Sequence, residues 1–189
     1  MSVAFKTEDP EPKTEMPIRH VTRGLIDGSL SMLGVSLGAA ISGDPRIVMA
    51  AGLGGAIANS ISNITGAVTA ERADVMKKLA KYERAMVGSE IDLKKTKIYE
   101  KEKKRILKGG LIDGAATFAG SIVPIAPYFL FGIDNGVIVS VGLTLTLLFV
   151  LGVYIGKLSK ENIIIAGTKM ALFGVVTAIL ASSLEFVLK

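Results

Sequence analysis

Beyond His20 the sequence is a succession of apolar stretches, each near the roughly 20 residues a helix needs to cross a hydrocarbon core of about 30 Å. They run from Arg23 to Ile41, Ile47 to Val68, Gly109 to Phe131, Val137 to Ile155 and Ile163 to Leu188. The length of these stretches separates membrane spans from the shorter helices of a soluble core. Turn chemistry punctuates them. Ser42-Gly43-Asp44-Pro45 closes the first, Gly132-Ile133-Asp134-Asn135-Gly136 joins the third to the fourth, and Gly156-Lys157-Leu158-Ser159-Lys160 follows the fourth. The expected fold is therefore an all-α integral membrane protein of five transmembrane helices over residues 21–189, preceded by a flexible polar tail over 1–20. That tail lacks an apolar h-region, so it does not read as a signal peptide.

The second stretch turns polar at Glu71 yet keeps good helix formers to Met86, where Gly88 is expected to break it. Ser89, three residues before Asp92, reads as a cap for a second polar helix from Glu90 to Lys108. Residues 69–108 are thus expected to form a helical hairpin between spans two and three. Nineteen Lys and Arg residues precede or open span one, lie in the hairpin or follow span four, against only Arg46 and Lys189 on the other face. That asymmetry places the N-terminus and hairpin in the cytosol and the C-terminus outside. The hairpin's thirteen bases exceed its seven acids, which suits anionic lipid headgroups and ion-paired solvated helices. Nucleic acid is not an expected partner, because no aromatic platform accompanies the bases.

Half of the residues are hydrophobic but only 6% are aromatic, and 21 are glycine, a residue that lets membrane helices approach closely. Gly34-x-x-x-Gly38 and Gly152-x-x-x-Gly156 are candidate close-packing pairs, while Pro124 and Pro127 are expected to bend or open the outer half of span three. With no cysteine and a single histidine, thiolate and all-histidine metal sites are excluded. A bound cation must be met mainly by oxygen, with methionine as the only soft helper. No catalytic constellation is apparent, so an enzyme is not expected.

Two intramembrane acids stand out. Asp27 and Asp113 occupy equivalent places in Gly24-Leu25-Ile26-Asp27-Gly28 and Gly110-Leu111-Ile112-Asp113-Gly114, an offset of 86 residues that also aligns Ser31 with Thr117 and Gly34 with Gly120. Both copies open outward-going spans, as in a parallel repeat, although so short an identity also arises by chance among glycine-rich helices. A carboxylate within a membrane helix costs about 2.5–3.5 kcal/mol and needs a partner, a cavity or an ion. Each is either part of a cation path or neutralised locally, Asp27 by Arg23 and Asp113 by Lys108. Asn59, Ser62, Asn63 and Gly66 share one side of span two, where amides complete an oxygen set with Asp27 or bond across to another helix. Glu71 and Asp74 lie a turn apart below the membrane, where an ion leaving the cytosol first meets protein. His20 reads as an interfacial polar anchor, and Lys169 and Glu185, able to snorkel, are given no role.

These residues together resemble the vacuolar iron transporter family. The likeness rests on Arg23-Gly24-Leu25-Ile26-Asp27-Gly28 with the Gly-rich segment after it, on Ala58-Asn59-Ser60-Ile61-Ser62-Asn63-Ile64-Thr65-Gly66, and on Gly120-Ser121-Ile122-Val123-Pro124-Ile125-Ala126-Pro127-Tyr128. It covers nearly all of the chain after His20. The resemblance implies a homodimer that exchanges cytosolic Fe²⁺ or Mn²⁺ for protons, with Asp27 in the pathway. Asn63 stands where the family has methionine and Ala67 where it has glutamate, and the insert lacks the family's dense Glu and Met set. Those departures imply a divergent relative of a prokaryotic plasma membrane, with an amide oxygen suited to harder divalent ions in place of a thioether.

Overall fold

The computed structural model describes residues 15–85 and 97–188, with side chains over 18–82 and 99–184. Much of the expected tail, the Gly88 break and the Ser89 cap lie outside the described residues. Five helices follow one another: α1 (Glu15–Ala40), α2 (Pro45–Ala85), α3 (Lys97–Phe131), α4 (Asp134–Leu158) and α5 (Ile163–Leu188). Their ends follow local chemistry. Asp44 Oδ1 accepts the Arg46 backbone N–H at 2.8 Å and Pro45 opens α2, while Asn162 Oδ1 accepts from Ile164 and Ile165 at the start of α5. Gly43 and Gly132, with φ of 72° and 69°, turn the chain after α1 and α3.

One expectation changes. The polar helix ending at Lys108 and the span from Gly109 are one continuous helix, α3. Gly109 and Gly110 do not interrupt it, because each fills a narrow gap beside another helix: a Cβ on Gly109 would meet His20 Nε2, and one on Gly110 would meet Val68. Pro124 and Pro127 also remain within α3; both are buried, and the Pro124 carbonyl accepts the Ser140 hydroxyl of α4 at 2.7 Å. At 1.5 Å per residue, α2 and α3 reach about 60 and 50 Å, well beyond a bilayer core.

Packing contacts establish relative direction. Gly24 abuts Asp113 and Thr117, and Gly28, one turn on, abuts Thr117 and Ser121, so α1 and α3 run parallel. By the same reasoning α2 runs against α3, since Gly110 meets Ile64 and Val68 whereas Gly114 meets Ile64 and Ser60. Leu33 and Leu37 of α1 pack with Ala178 and Ala181 of α5 and with Val137 and Val141 of α4. The centre of the bundle is α1, touched by all four other helices.

That position explains a compositional oddity. Four helices are long and apolar enough to cross a membrane, at Pro45–Tyr82, Tyr99–Phe131, Asp134–Leu158 and Ile163–Leu184. The central helix α1 is not among them, because Asp27, Arg23 and its glycines and serines dilute its leucines. Enclosed by neighbours, its Ser29 and Ser36 are fully buried and donate to their own helix at Ile26 and Leu33. On α5, by contrast, Leu172, Phe173, Ile179 and Leu180 all stand exposed, as a lipid-facing surface requires.

The close packing expected of Gly34 and Gly38 is carried instead by Gly24, Gly28 and Gly120. A Cβ on Gly28 would overlap the Thr117 carbonyl oxygen, and one on Gly120 the Leu25 carbonyl, whereas Gly38 has open space. The Gly152 and Gly156 pair does pack, against Ala166 of α5. Substituting Gly28→Val should therefore force α1 from α3 and destabilise the fold by roughly 2–4 kcal/mol, while Gly38→Ala should change little. Thermal unfolding in detergent, followed by loss of monodisperse protein, checks the contrast.

Candidate functional site

At the level of Asp27, α1, α2 and α3 meet through polar side chains. Asn59 and Asn63, four residues apart, lie on one face of α2 and both donate their amide N–H to Asp27 Oδ2, at 2.9 and 2.7 Å. The Asn63 amide also donates to Thr117 Oγ1 on α3 at 2.8 Å, while that hydroxyl gives its own proton to the Asp113 carbonyl at 2.9 Å. One oxygen of Asp27 is thus held by two donors. The other, Oδ1, makes no hydrogen bond among the described residues, and the side chain is only partly buried. Oδ1 is the unclaimed anionic oxygen of the site.

Neither local ion pair weighed from the sequence is formed. Arg23 does not turn along α1 to Asp27 but crosses to Asp113 Oδ2 on α3, in direct contact. Lys108 is exposed. Geometry decides this outcome: Gly24 lets the α3 backbone approach α1 at the level of Asp113, putting a fully buried carboxylate beside the base that precedes that glycine. A buried carboxylate without a cation would be expensive, so the crossed pair is the lower-energy arrangement.

One turn nearer the polar ends of the helices, His20 is 3% exposed, with Nε2 at 2.6 Å from Glu71 Oε1 of α2 and Nδ1 at 3.9 Å from Asp113 Oδ2. The Nε2 contact is a close approach without hydrogen-bond alignment, since neither atom completes a bond. Asp113 Oδ1 is likewise buried without a partner.

The candidates from the sequence therefore divide. Asp27, Asn59 and Asn63 come together; Asp113 and Glu71 belong to the neighbouring cluster with Arg23 and His20. Asp74 is exposed and does not join Glu71, and Ser62 and Gly66 face away from the three-helix contact. Thr117 and His20 carry more of the site than their residue types suggested. Their signal in the sequence was the run of glycines at 109, 110 and 114, which marks where side chains of α1 and α2 press against α3. Among the described residues no three His, Asp or Glu side chains converge as a ready metal cage.

The profile of the VIT family matches residues 66–184. An uncharacterized protein of Methanocaldococcus jannaschii is similar, with 47% identity over 171 residues that cover 90% of this chain and 90% of that protein. On both grounds the chain belongs to the VIT family of membrane metal-ion transporters.

Proposed function

We propose that the chain carries Fe²⁺ or Mn²⁺ out of the cytosol of a prokaryotic cell across its plasma membrane in exchange for protons, with Asp27 as the residue that meets the ion. The observation that carries this reading is the state of Asp27: a carboxylate with one oxygen anchored by two amides and the other unclaimed. A carboxylate serving only as helix glue would have both oxygens engaged or a base beside it. Here the nearest base on its own helix is committed elsewhere. Turning the Asn59 and Asn63 amides over exchanges N–H donors for carbonyl oxygens, and an incoming divalent ion then finds a set of oxygen ligands.

Such a set is incomplete for an ion that takes six or more ligands, so water or a second copy of the chain must supply the rest. A homodimer that pairs the partly exposed α1 and α2 faces answers that need. A divalent ion and a proton held close together in a poorly screened interior disfavour each other, which is the simplest physical basis for exchange.

Five crossings are supported by direction. α1 lies parallel to α3 and α2 runs against it; α4 also runs against α3, since Gly136 meets Tyr128 and Ser140 meets Pro124, and α5 runs against α4, since Gly152 meets Met170 and Gly156 meets Ile163. Since α1 sits between helices that are long and apolar enough to span, it crosses with them, leaving the basic ends of α2 and α3 in the cytosol. Arg72 and Lys108, basic residues near the membrane, are exposed and meet anionic headgroups there.

Three outcomes follow from these assignments. In proteoliposomes, Asp27→Asn should lower metal flux at least about tenfold while leaving size-exclusion behaviour unchanged; flux at the wild-type level removes Asp27 from the path. Replacing Asn63 with Met substitutes a thioether for the amide and should raise the Fe²⁺ to Mn²⁺ flux ratio by roughly threefold or more, as read by competition between the ions. The chain has no cysteine, so single substitutions report topology cleanly: Asn135→Cys should react with an impermeant maleimide from outside and Ser159→Cys only from the cytosolic side.

A further inference from the structure

The cluster of His20, Arg23, Glu71 and Asp113 takes no part in the metal site just described, yet it concentrates four ionisable groups where α1, α2 and α3 meet. His20 is buried with one ring nitrogen turned to each carboxylate, Nε2 to Glu71 and Nδ1 to Asp113. Among the described residues, the charged groups around the imidazole are Glu71 from α2, Asp113 from α3 and, through its contact with Asp113, Arg23 from α1. Arg72 and Lys108, the nearby bases on α2 and α3, are exposed. With both carboxylates ionised, Arg23 charged and the imidazole neutral, the cluster carries one net negative charge around a buried imidazole. His20 Nε2 and Glu71 Oε1 face each other at 2.6 Å without completing a hydrogen bond, and Asp113 Oδ1 has no hydrogen-bond partner among the described residues.

One proton on the imidazole removes the net charge. It makes both ring nitrogens donors and gives each carboxylate a cationic neighbour. A divalent ion does not fit, because the Arg23 guanidinium already holds Asp113 and no metal-sized cage exists among the described residues. We propose that His20, set between Glu71 and Asp113, is the cytosolic holding site of the exchanged proton, separate from the metal site at Asp27. This rests on the proton-exchange reading above. Glu71, partly exposed where Asp113 is fully buried, is the side from which the proton enters and leaves.

The two sites sense each other. His20 and Asp27 are seven residues apart on α1, two turns along one face and about 10 Å by helical rise. A divalent ion on Asp27 repels a protonated imidazole across a poorly screened interior, so occupancy by metal drives the proton off. The proton leaves the imidazole for water by way of the Glu71 carboxylate, and the cluster returns to its single negative charge.

Proton release on metal binding tests this without transport. Mn²⁺ added to purified protein in weakly buffered detergent should release protons in wild type, and His20→Gln should cut the protons released per bound Mn²⁺ by about fivefold or more. The glutamine keeps a polar side chain of similar reach; should that variant fail to fold, Glu71→Gln, which removes one flanking charge, should also reduce release. In proteoliposomes the ratio of pH-gradient-driven uptake to Mn²⁺/Mn²⁺ exchange should fall about tenfold in His20→Gln. Wild-type release and ratio in folded His20→Gln would overturn the proton site while leaving the exchange reading standing. Wild-type vesicles that move Mn²⁺ with no proton movement would sink the exchange reading and this site together.

Discussion

The crossing of Arg23 to Asp113 sets the terms for everything around it. A carboxylate fully enclosed by helices needs a cation. Because the cation comes from α1, the two helices that carry the related Asp-Gly motifs are tied together at their polar ends. The same choice leaves Asp27 without a base. One interaction therefore provides cohesion at one acid and reactivity at the other.

That interaction depends on backbone proximity. Gly24, Gly28 and Gly120 bring α1 and α3 into contact at a distance that any side chain would prevent. In lipid, where apolar burial gives helices little reason to associate, such close approach together with interhelical polar bonds is the principal source of cohesion. The enclosed position of α1 follows, and with it the tolerance for serine, glycine and aspartate on a helix that meets its neighbours more than lipid.

Much of this was legible in the sequence, and the failures have physical causes. Periodicity and length gave the apolar helices and the turn at Asp44-Pro45, because capping and proline act locally. The aspartates and the Asn59/Asn63 face were legible because intramembrane polar residues are costly and a helix repeat places residues four apart together. What misled were assumptions of locality. Arg23 and Lys108 were weighed as partners along their own helices, whereas the nearest carboxylate for Arg23 is 90 residues away in sequence. Glycines 109 and 110 were read as a boundary, yet packing against His20 and Val68 keeps the helix intact. Tertiary contact overrides propensity in each case.

The offset of 86 residues shows why the two acids diverge. At the position 86 residues after Arg23 stands Gly109, and Lys108 beside it is exposed and does not pair with Asp113. Parallel packing of α1 on α3 then places Arg23 nearer the other copy's acid, and the absent side chain at Gly109 opens the space that His20 fills. Among the described residues, no amide side chain holds the Asp113 carboxylate as Asn59 and Asn63 hold that of Asp27. Equivalent carboxylates thereby meet different surroundings: one closed by a guanidinium and an imidazole, the other held at one oxygen and open at the next. Two acids in identical surroundings would bind any cation equally, so it is this inequality that sets the open carboxylate apart from the closed one.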